Sequence, residues 1–573
     1  TPGKDLDAAM KALTVTLESL DKKPFTEQEL DRARSKWLTS WEQTYSDPEQ
    51  VGVALSEAIA AGDWRLFFLQ RDRVREAKLE DVQRVATTYL VESNRTEGRY
   101  IPTQKPRRAP LEQRPDLASL LKDYQGDPDF KQTDAFDPTP GNIDKLTQRS
   151  ELGLPNGKVQ LALLPKATRG GRVQAELLIQ FGDADSLRGQ RVNAAAVADL
   201  LERGTATLSR QEIQDRFDAM QAQVEFNGSG TDLTVSMSAA GEHLPELAAL
   251  VLDVVRHANF PTAQVEEYQR QAQTSIRSAM TEPTALASRA LARQDNPWPA
   301  DDVRYVPTFD EALAEADQIN RDALAAFHAR FYGAGQIKFS AVGDFDADAL
   351  KKALATGLEG WQQAPAYTRL SDPYRAIKAQ HFDIDTPDKA NAFYISRMPL
   401  KLQDTDADFP ALYLANFLLG TSETSRLWSR VRETEGLSYN VRSNLSVSSF
   451  EPTASWTVYA IYAPQNRERL EKAIGEELAR AVKDGFTAEE VKDGIAALLN
   501  YRKLARAQDS VLASTWISYL KRGRTFEWSA KIDRQIAALT PEKVNATLRK
   551  HLQPSAFSTA VAGDFTPPKK TAP

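Results

Sequence analysis

Two residues in this chain stand at a spacing that suits recognition of an extended peptide. Arg432 and Tyr439 are seven residues apart with Gly436 between them. A helix that ends at a left-handed glycine and turns into a strand would send an arginine from its last turn and a phenol from the strand start toward the same side. Arg brings always-charged planar donors, and a tyrosine hydroxyl can hydrogen-bond a developing negative charge. The residues alone also support a plainer reading, in which Arg432 complements the helix dipole and Tyr439 is strand packing. Arg426 and Arg430 lack the seven-residue spacing and read as solvated or salt-bridged. The five histidines are His243, His257, His328, His381 and His551, and no two lie three or four apart. No helical turn can therefore present two imidazoles to one metal. The chain has no cysteine, which excludes disulfides, thiolate metal sites and cysteine nucleophiles.

The elements that must hold Arg432 and Tyr439 belong to a large, modular chain. At 573 residues it exceeds what one core organises and implies about three units. Hydrophobic residues make up 41% and charged residues 26%, the balance of ordinary globular domains. Lys and Arg number 72 against 79 Asp and Glu, giving a net charge of −7 without a long basic run, which argues against nucleic acid as a partner. No window offers the ~18 apolar residues of a membrane span; even Leu244 to Val255 is broken by Pro245, Glu246 and Asp253. The chain opens at Thr1 without a methionine or a signal-type stretch and reads as a fragment.

Internal repetition sets the architecture. Leu79 to Thr103, Asn320 to Phe345 and Pro541 to Phe565 share one plan of helix, loop and strand, and the last two end in Gly343-Asp344-Phe345 and Gly563-Asp564-Phe565. A capping box with a hydrophobic staple, Phe25-Thr26 with Glu29 and Leu30, recurs as Phe486-Thr487 with Glu490 and Val491. Lys158 to Leu164, Val173 to Phe181 and Val224 to Ala239 alternate as strands, with helices at Ala194 to Arg203 and Arg210 to Met220. The order returns with strand Asn391 to Ser396, helices Phe409 to Leu419 and Ser425 to Thr434, and strands Leu437 to Ser448 and Thr453 to Tyr462. Pro106, Pro110, Pro115, Pro128, Pro138 and Pro140 mark a semi-extended linker. The expected map is an incomplete α+β domain at 1–103, a linker at 104–144, and α+β domains at 145–365 and 366–573, each a mostly antiparallel sheet against helices.

Residues 425–441, SRLWSRVRETEGLSYNV, resemble the SRLxxxLRExxGLxYxV motif in the C-terminal half of insulinase/pitrilysin-type zinc metallopeptidases, the inverzincins. Leu418-Leu419-Gly420 resembles the LGG before that helix. Phe327 to Tyr332 with Gly343-Asp344-Phe345 resembles the FHxxxYxxxN…VGDF signature, and Leu154-Pro155-Asn156-Gly157 the LxNG that opens each half. The resemblance covers nearly the whole chain outside the linker and implies the end of domain two plus domains three and four, one half of a clam-like chamber. Family members hold zinc in domain one through HxxEH and a later Glu. Counting back from Gly204-Thr205, the corresponding positions here are Ala195, Ala198 and Asp199, with Thr274 and Ser275 near the last ligand position, so no metal ligand is assigned to this chain.

The resemblance gives Arg432 and Tyr439 a catalytic and substrate-binding role, gripping a substrate carbonyl and donating to the oxyanion opposite a zinc bound outside these residues. It reads His328, Phe331 and Tyr332 as packing. The implied function is the substrate-binding C-terminal portion of a zinc metalloendopeptidase acting on small or unfolded polypeptides, inactive alone, with zinc supplied by an HxxEH-bearing N-terminal segment or subunit. A metal-free processing-peptidase-like subunit or peptide-binding scaffold is the alternative. Expected partners are peptide and that zinc-bearing segment, in a homo- or hetero-oligomer, without nucleic acid or membrane. A periplasmic location is expected ahead of a cytoplasmic or organellar one.

Overall fold

The computed structural model describes residues 6–96 and 136–565. Two sheets organise them. The first holds β1 (Gln148–Leu154), β2 (Gly157–Pro165), β3 (Arg172–Gln180), β4 (Gln223–Gly228), β5 (Asp232–Ala240) and β6 (Gln336–Gly343) in the order β1-β2-β6-β3-β5-β4. The second holds β7 (His381–Asp385), β8 (Ala392–Leu400), β9 (Ser438–Val447), β10 (Ala454–Tyr462) and β11 (Ser558–Gly563) in the order β7-β11-β8-β10-β9. Only β2 with β6 and β7 with β11 run parallel; every other pair is antiparallel. The protein is thus the α+β arrangement of mostly antiparallel sheets against helices that the alternation implied.

Each sheet buries one face under helices of its own half. Leu161 and Leu163 of β2, Leu177 and Ile179 of β3 and Ile337 and Phe339 of β6 share a core with Leu247, Val251 and Val254 of the helix Leu244–His257. Tyr394, Trp456 and Val458 share the second core with Leu470 and Ile474 of Arg467–Asp484 and Val544 and Leu548 of Pro541–His551.

The other faces are covered by exchange. Helix Asp509–Arg522, which follows the second sheet's helices in sequence, lays Leu512, Ala513 and Trp516 on Ala162, Leu164 and Val342 of the first sheet. Helix Pro283–Gln294, from the first half, lays Ala287 and Leu291 on Phe393, Ile395, Ala560 and Ala562 of the second. Two contacts pair polar groups at the first seat: Ser340 Oγ donates to the Ala513 carbonyl at 2.8 Å, and Lys521 meets Asp232 at 2.8 Å. Glu176 of β3 lies on this same face without a partner among the described residues, and burial pushes its carboxyl up to about 7.

The expected local signals appear. Thr26 with Glu29 and Thr487 with Glu490 close reciprocal capping boxes. The tails that end in Gly-Asp-Phe form helix Arg321–Phe331 with β6 and helix Pro541–His551 with β11. The strand expected before Thr103 and most of the 104–144 linker lie outside the described residues. Three expectations need correction. The end of the linker is the helix Pro140–Leu146, with Pro140 in its first turn and Ile143 fully buried, because proline's fixed φ suits a helix start. The run Val224 to Ala239 is a hairpin of β4 and β5 that turns at Ser229 to Thr231, where the amide of Ser229 donates to the Asp232 carbonyl at 2.8 Å. Helices Phe409 to Leu419 and Ser425 to Thr434 both widen into π-turns, at Phe417–Thr421 and Ser429–Thr434.

Residues 6–96 form five α-helices and a short 3-10 turn, and Trp41 stacks on Phe67 at 4.8 Å and lies under the Arg71 guanidinium at 4.7 Å. They meet the first half through Ser35 Oγ donating to the Asp218 carbonyl at 2.7 Å and Arg169 donating to the Tyr45 carbonyl at 3.1 Å.

Removing the exchanged indole by Trp516→Ala should cost about 3 to 5 kcal/mol, read by denaturant unfolding, with faster proteolysis. For Glu176 the sign follows from a folded pKa above that of the unfolded chain. Between the ordinary glutamate range and about 7 the folded state keeps a proton the unfolded state has lost, so stability falls as pH rises through that window. Glu176→Gln should stabilise by on the order of 1 kcal/mol near pH 8, after allowance for partial exposure, and by nearly nothing near pH 4, measured by thermal melts at both.

Candidate functional site

Arg432 sits in the π-turn Ser429–Thr434 and Tyr439 near the start of β9, at the edge of the second sheet. The turn ends with the Leu437 amide donating to the Val431 carbonyl at 2.8 Å, and Gly436 takes φ +61°, a conformation that favours glycine. That is the left-handed break expected from the sequence. The register with β10 then slips: Tyr462 faces Ser438 and Ile461 faces Asn440, so Tyr439 is the extra residue of a β-bulge. Ser438 Oγ holds the bulge by donating to the Ile461 carbonyl at 2.6 Å and accepting from the Asn440 amide at 3.1 Å. Tyr439 is 57% exposed as a result.

The two residues are brought together. Arg432 Nη1 donates to the Tyr439 carbonyl at 2.7 Å, and its guanidinium carbon lies 4.3 Å from the centre of the Trp428 ring. One donor of the fork is thereby used for positioning. Arg426 is bound by Glu490 at 2.7 and 2.8 Å and by the Gly485 carbonyl at 2.8 Å, and Arg430 pairs with Glu435 at 3.0 Å. The adjacent cavity is lined by Arg426, Arg430 and Glu490, whereas Arg432 and Tyr439 stand exposed at the strand edge.

A buried polar chain behind the edge escaped the sequence reading. Trp456 Nε1 donates to Ser443 Oγ at 2.7 Å, Ser443 Oγ donates to Asn416 Oδ1 at 2.8 Å, and Asn416 Nδ2 donates to Thr421 Oγ1 at 2.9 Å. It ties β9 to the first π-turn, where Gly420 packs so closely that an added Cβ would stand 2.5 Å from the Ser443 Cβ. Gly420 in the LGG-like triplet was the one visible signal.

The helix Arg191–Leu200 carries the three positions that correspond to zinc-binding residues. Ala195 and Asp199 are exposed and Ala198 is fully buried. Asp199 accepts from Tyr268 Oη at 2.7 Å. Gly228 of β4 lies against the helix, and an added Cβ there would stand 2.4 Å from the Ala198 Cβ. A glutamate at 198 has no room. Thr274 and Ser275 are exposed, and no group of three His, Cys, Asp or Glu able to hold a metal occurs among the described residues. These residues do not fit zinc. The histidines are dispersed: His328 is buried with its Nε2 2.7 Å from the Val255 carbonyl, burial lowering its pKa, while His257 pairs with Asp253 at 2.8 Å and His551 with Asp408 at 3.0 Å. Phe331 and Tyr332 are core residues, as expected.

The sequence model described as Peptidase M16 inactive domain matches residues 318–498. Over that stretch the chain is similar to the peptidase M16 inactive domain. The motif at 425–441 falls within the matched stretch, and the insulinase/pitrilysin-type resemblance stands with it. A Helicobacter pylori protein named non-peptidase homolog YmxG is 21% identical over 68% of this chain and 88% of its own. An uncharacterized zinc protease of Mycobacterium tuberculosis is 26% identical over 70% of this chain and 94% of its own, and the uncharacterized zinc protease YmxG of Bacillus subtilis is 22% identical over 51% and 68%. Among solved structures, a peptidase M16 inactive domain from Pseudomonas fluorescens superposes with a TM-score of 0.62 at 21% identity, over 73% of this chain and 98% of that one. A Helicobacter pylori protease superposes at 0.60 with 14% identity, over 73% and 100%. Relatives thus bear both peptidase and non-peptidase names.

Rebuilding the motif by Ala195→His, Ala198→Glu and Asp199→His together should yield no tight zinc site and should cost about 1 to 3 kcal/mol from overpacking against Gly228. Zinc titration by calorimetry and a thermal melt read the two effects.

Proposed function

We propose that this chain is the substrate-gripping portion of a zinc metalloendopeptidase that cleaves small or unfolded polypeptides, with the metal held by an HxxEH-bearing N-terminal segment or partner chain. The observation that carries this reading is the Arg432/Tyr439 pair, exposed together at the open edge of β9 by a π-turn, a left-handed glycine and a bulge. No strand lies beyond β9 among the described residues, so its backbone can accept an extended peptide as an added strand. The remaining N–H groups of Arg432 suit a substrate carbonyl, and the phenol of Tyr439 suits the oxyanion that forms as that carbonyl is attacked. One such donor is typically worth about 2.7 to 4 kcal/mol of barrier.

A second reading is a peptide-binding subunit without hydrolysis. It is favoured by the close packing of Gly228 on the helix Arg191–Leu200 and by the name of the Helicobacter pylori relative, non-peptidase homolog YmxG. The two readings part on one measurement. With the zinc-bearing segment added, the first expects chelator-sensitive cleavage of a quenched-fluorescence peptide, lowered about tenfold or more in kcat/KM by Arg432→Ala and by Tyr439→Phe. Cleavage unaltered in both variants would remove the site. Intact peptide under all conditions would favour the second reading.

A further inference from the structure

We propose that Arg432, Trp428 and Arg442 form a carboxylate-binding subsite at the edge of β9, so that the peptide this chain grips carries an acidic group beside the Tyr439 bulge. The proposal rests on the peptide-gripping reading and adds a substrate class to it.

Trp428 is buried, yet two guanidinium groups lie against its ring, Arg432 at 4.3 Å and Arg442 at 4.1 Å from the centroid. The two cations are therefore separated by less than the sum of those distances. Arg442 pairs across the sheet with Tyr459, whose side chain packs on the face covered by helix Pro283–Gln294, whereas Trp428 belongs to the core on the opposite face. To reach that ring the side chain of Arg442 must curl round the open edge, where an added strand would run.

Several other arginines of this half are neutralised by carboxylates, Arg426 by Glu490 at 2.7 Å, Arg467 by Glu471 at 2.9 Å, Arg502 by Asp533 at 2.5 Å and Arg524 by Asp404 at 2.6 Å, while Arg522 and Arg549 bond to hydroxyl and carbonyl oxygens. Arg432 has no carboxylate partner among the described residues, and Arg442 has only the exposed Glu423 at 3.8 Å. In a chain of net charge −7, two neighbouring guanidinium groups left this way repel each other, and the indole face offsets only part of that cost. A carboxylate offers what the pair lacks, since its two oxygens match the planar fork of either arginine. The carboxylate can come from a Glu or Asp side chain or from the C-terminus of the peptide.

The test is fluorescence anisotropy with four labelled ten-residue peptides of one sequence, carrying a central Glu or Gln and a free or amidated C-terminus, titrated with the 573-residue chain at low salt. At least one carboxylate-bearing peptide should bind about tenfold more tightly than the Gln amide, and the arm that does so names the source. Arg442→Gln should bring that ratio to about 1, Arg442→Lys should keep part of it, and Lys492→Gln, which removes one charge from an exposed site elsewhere, should keep all of it. A ratio near 1 in the unsubstituted chain, with measurable binding of all four, overturns the subsite and leaves peptide gripping in place. A ratio that survives Arg442→Gln, or falls as far with Lys492→Gln, overturns it too. Failure of every peptide to bind overturns the subsite together with the gripping reading.

Discussion

Each sheet in this protein has two faces to bury and helices of its own for only one of them. The exchange of Asp509–Arg522 for Pro283–Gln294 solves that for both sheets at once, and the position of every candidate residue depends on it. A sheet with helices on one face and water on the other needs alternating polar residues. Here β2 carries Val159, Leu161 and Leu163 on one face and Ala162 and Leu164 on the other, all buried. Such a strand is stable only when the second helix arrives. With Trp516 completely enclosed between the halves, the interface has the character of a domain core and not of a transient contact. The end strands β4 and β9 are consequently held in a fixed mutual relation.

The two halves spend the same local plan differently. In the first half, β4 closes on the helix Arg191–Leu200 through Gly228 and Ala198, leaving no volume for a ligand-bearing side chain. In the second, the elements around β9 depart from regular geometry three times within a short stretch, at two π-turns and one bulge. Each departure gives up regular hydrogen bonding, and the turn Ser429–Thr434 and the bulge leave Arg432 and Tyr439 exposed. The chain from Trp456 through Ser443 and Asn416 to Thr421 supplies the compensating bonds, which is why an irregular edge can still be rigid.

Much of this was legible in the sequence, and the boundary of legibility is physical. Arg432, Gly436 and Tyr439 could be placed because a helix end, a left-handed glycine and a strand start are local events with local residue requirements. The capping boxes at Thr26 and Thr487 were visible for the same reason. The exchange of helices was not. Leu512, Ala513 and Trp516 read as one face of an amphipathic helix whichever sheet they cover, since periodicity names a buried face but not its partner. The bulge at Tyr439 was hidden because it is a mismatch with β10, and neither strand records it alone. The same holds for the stack on Trp428, which joins Arg442 from the far side of the edge.

The internal repeat shows how far a local code reaches. In the second half, Asn545 binds the chain at the capping box, accepting from the Phe486 amide at 2.7 Å and donating to its carbonyl at 2.9 Å. In residues 6–96, Gln83 accepts from the amide of Phe25, the residue at the same place before its own box, at 2.9 Å and donates to the Leu20 carbonyl at 2.7 Å. The helices Leu79–Tyr89 and Pro541–His551 then align position for position, Val82 with Val544 and Leu90 with Leu552. Yet Leu552 is buried in a core shared with Val561 of β11, while Leu90 is 42% exposed. Equal sequence signals have produced equal helices, caps and cross-links with unequal burial. The local code specifies the helices, whereas their burial depends on what packs against them, since amphipathic helices owe most of their stability to the face they bury.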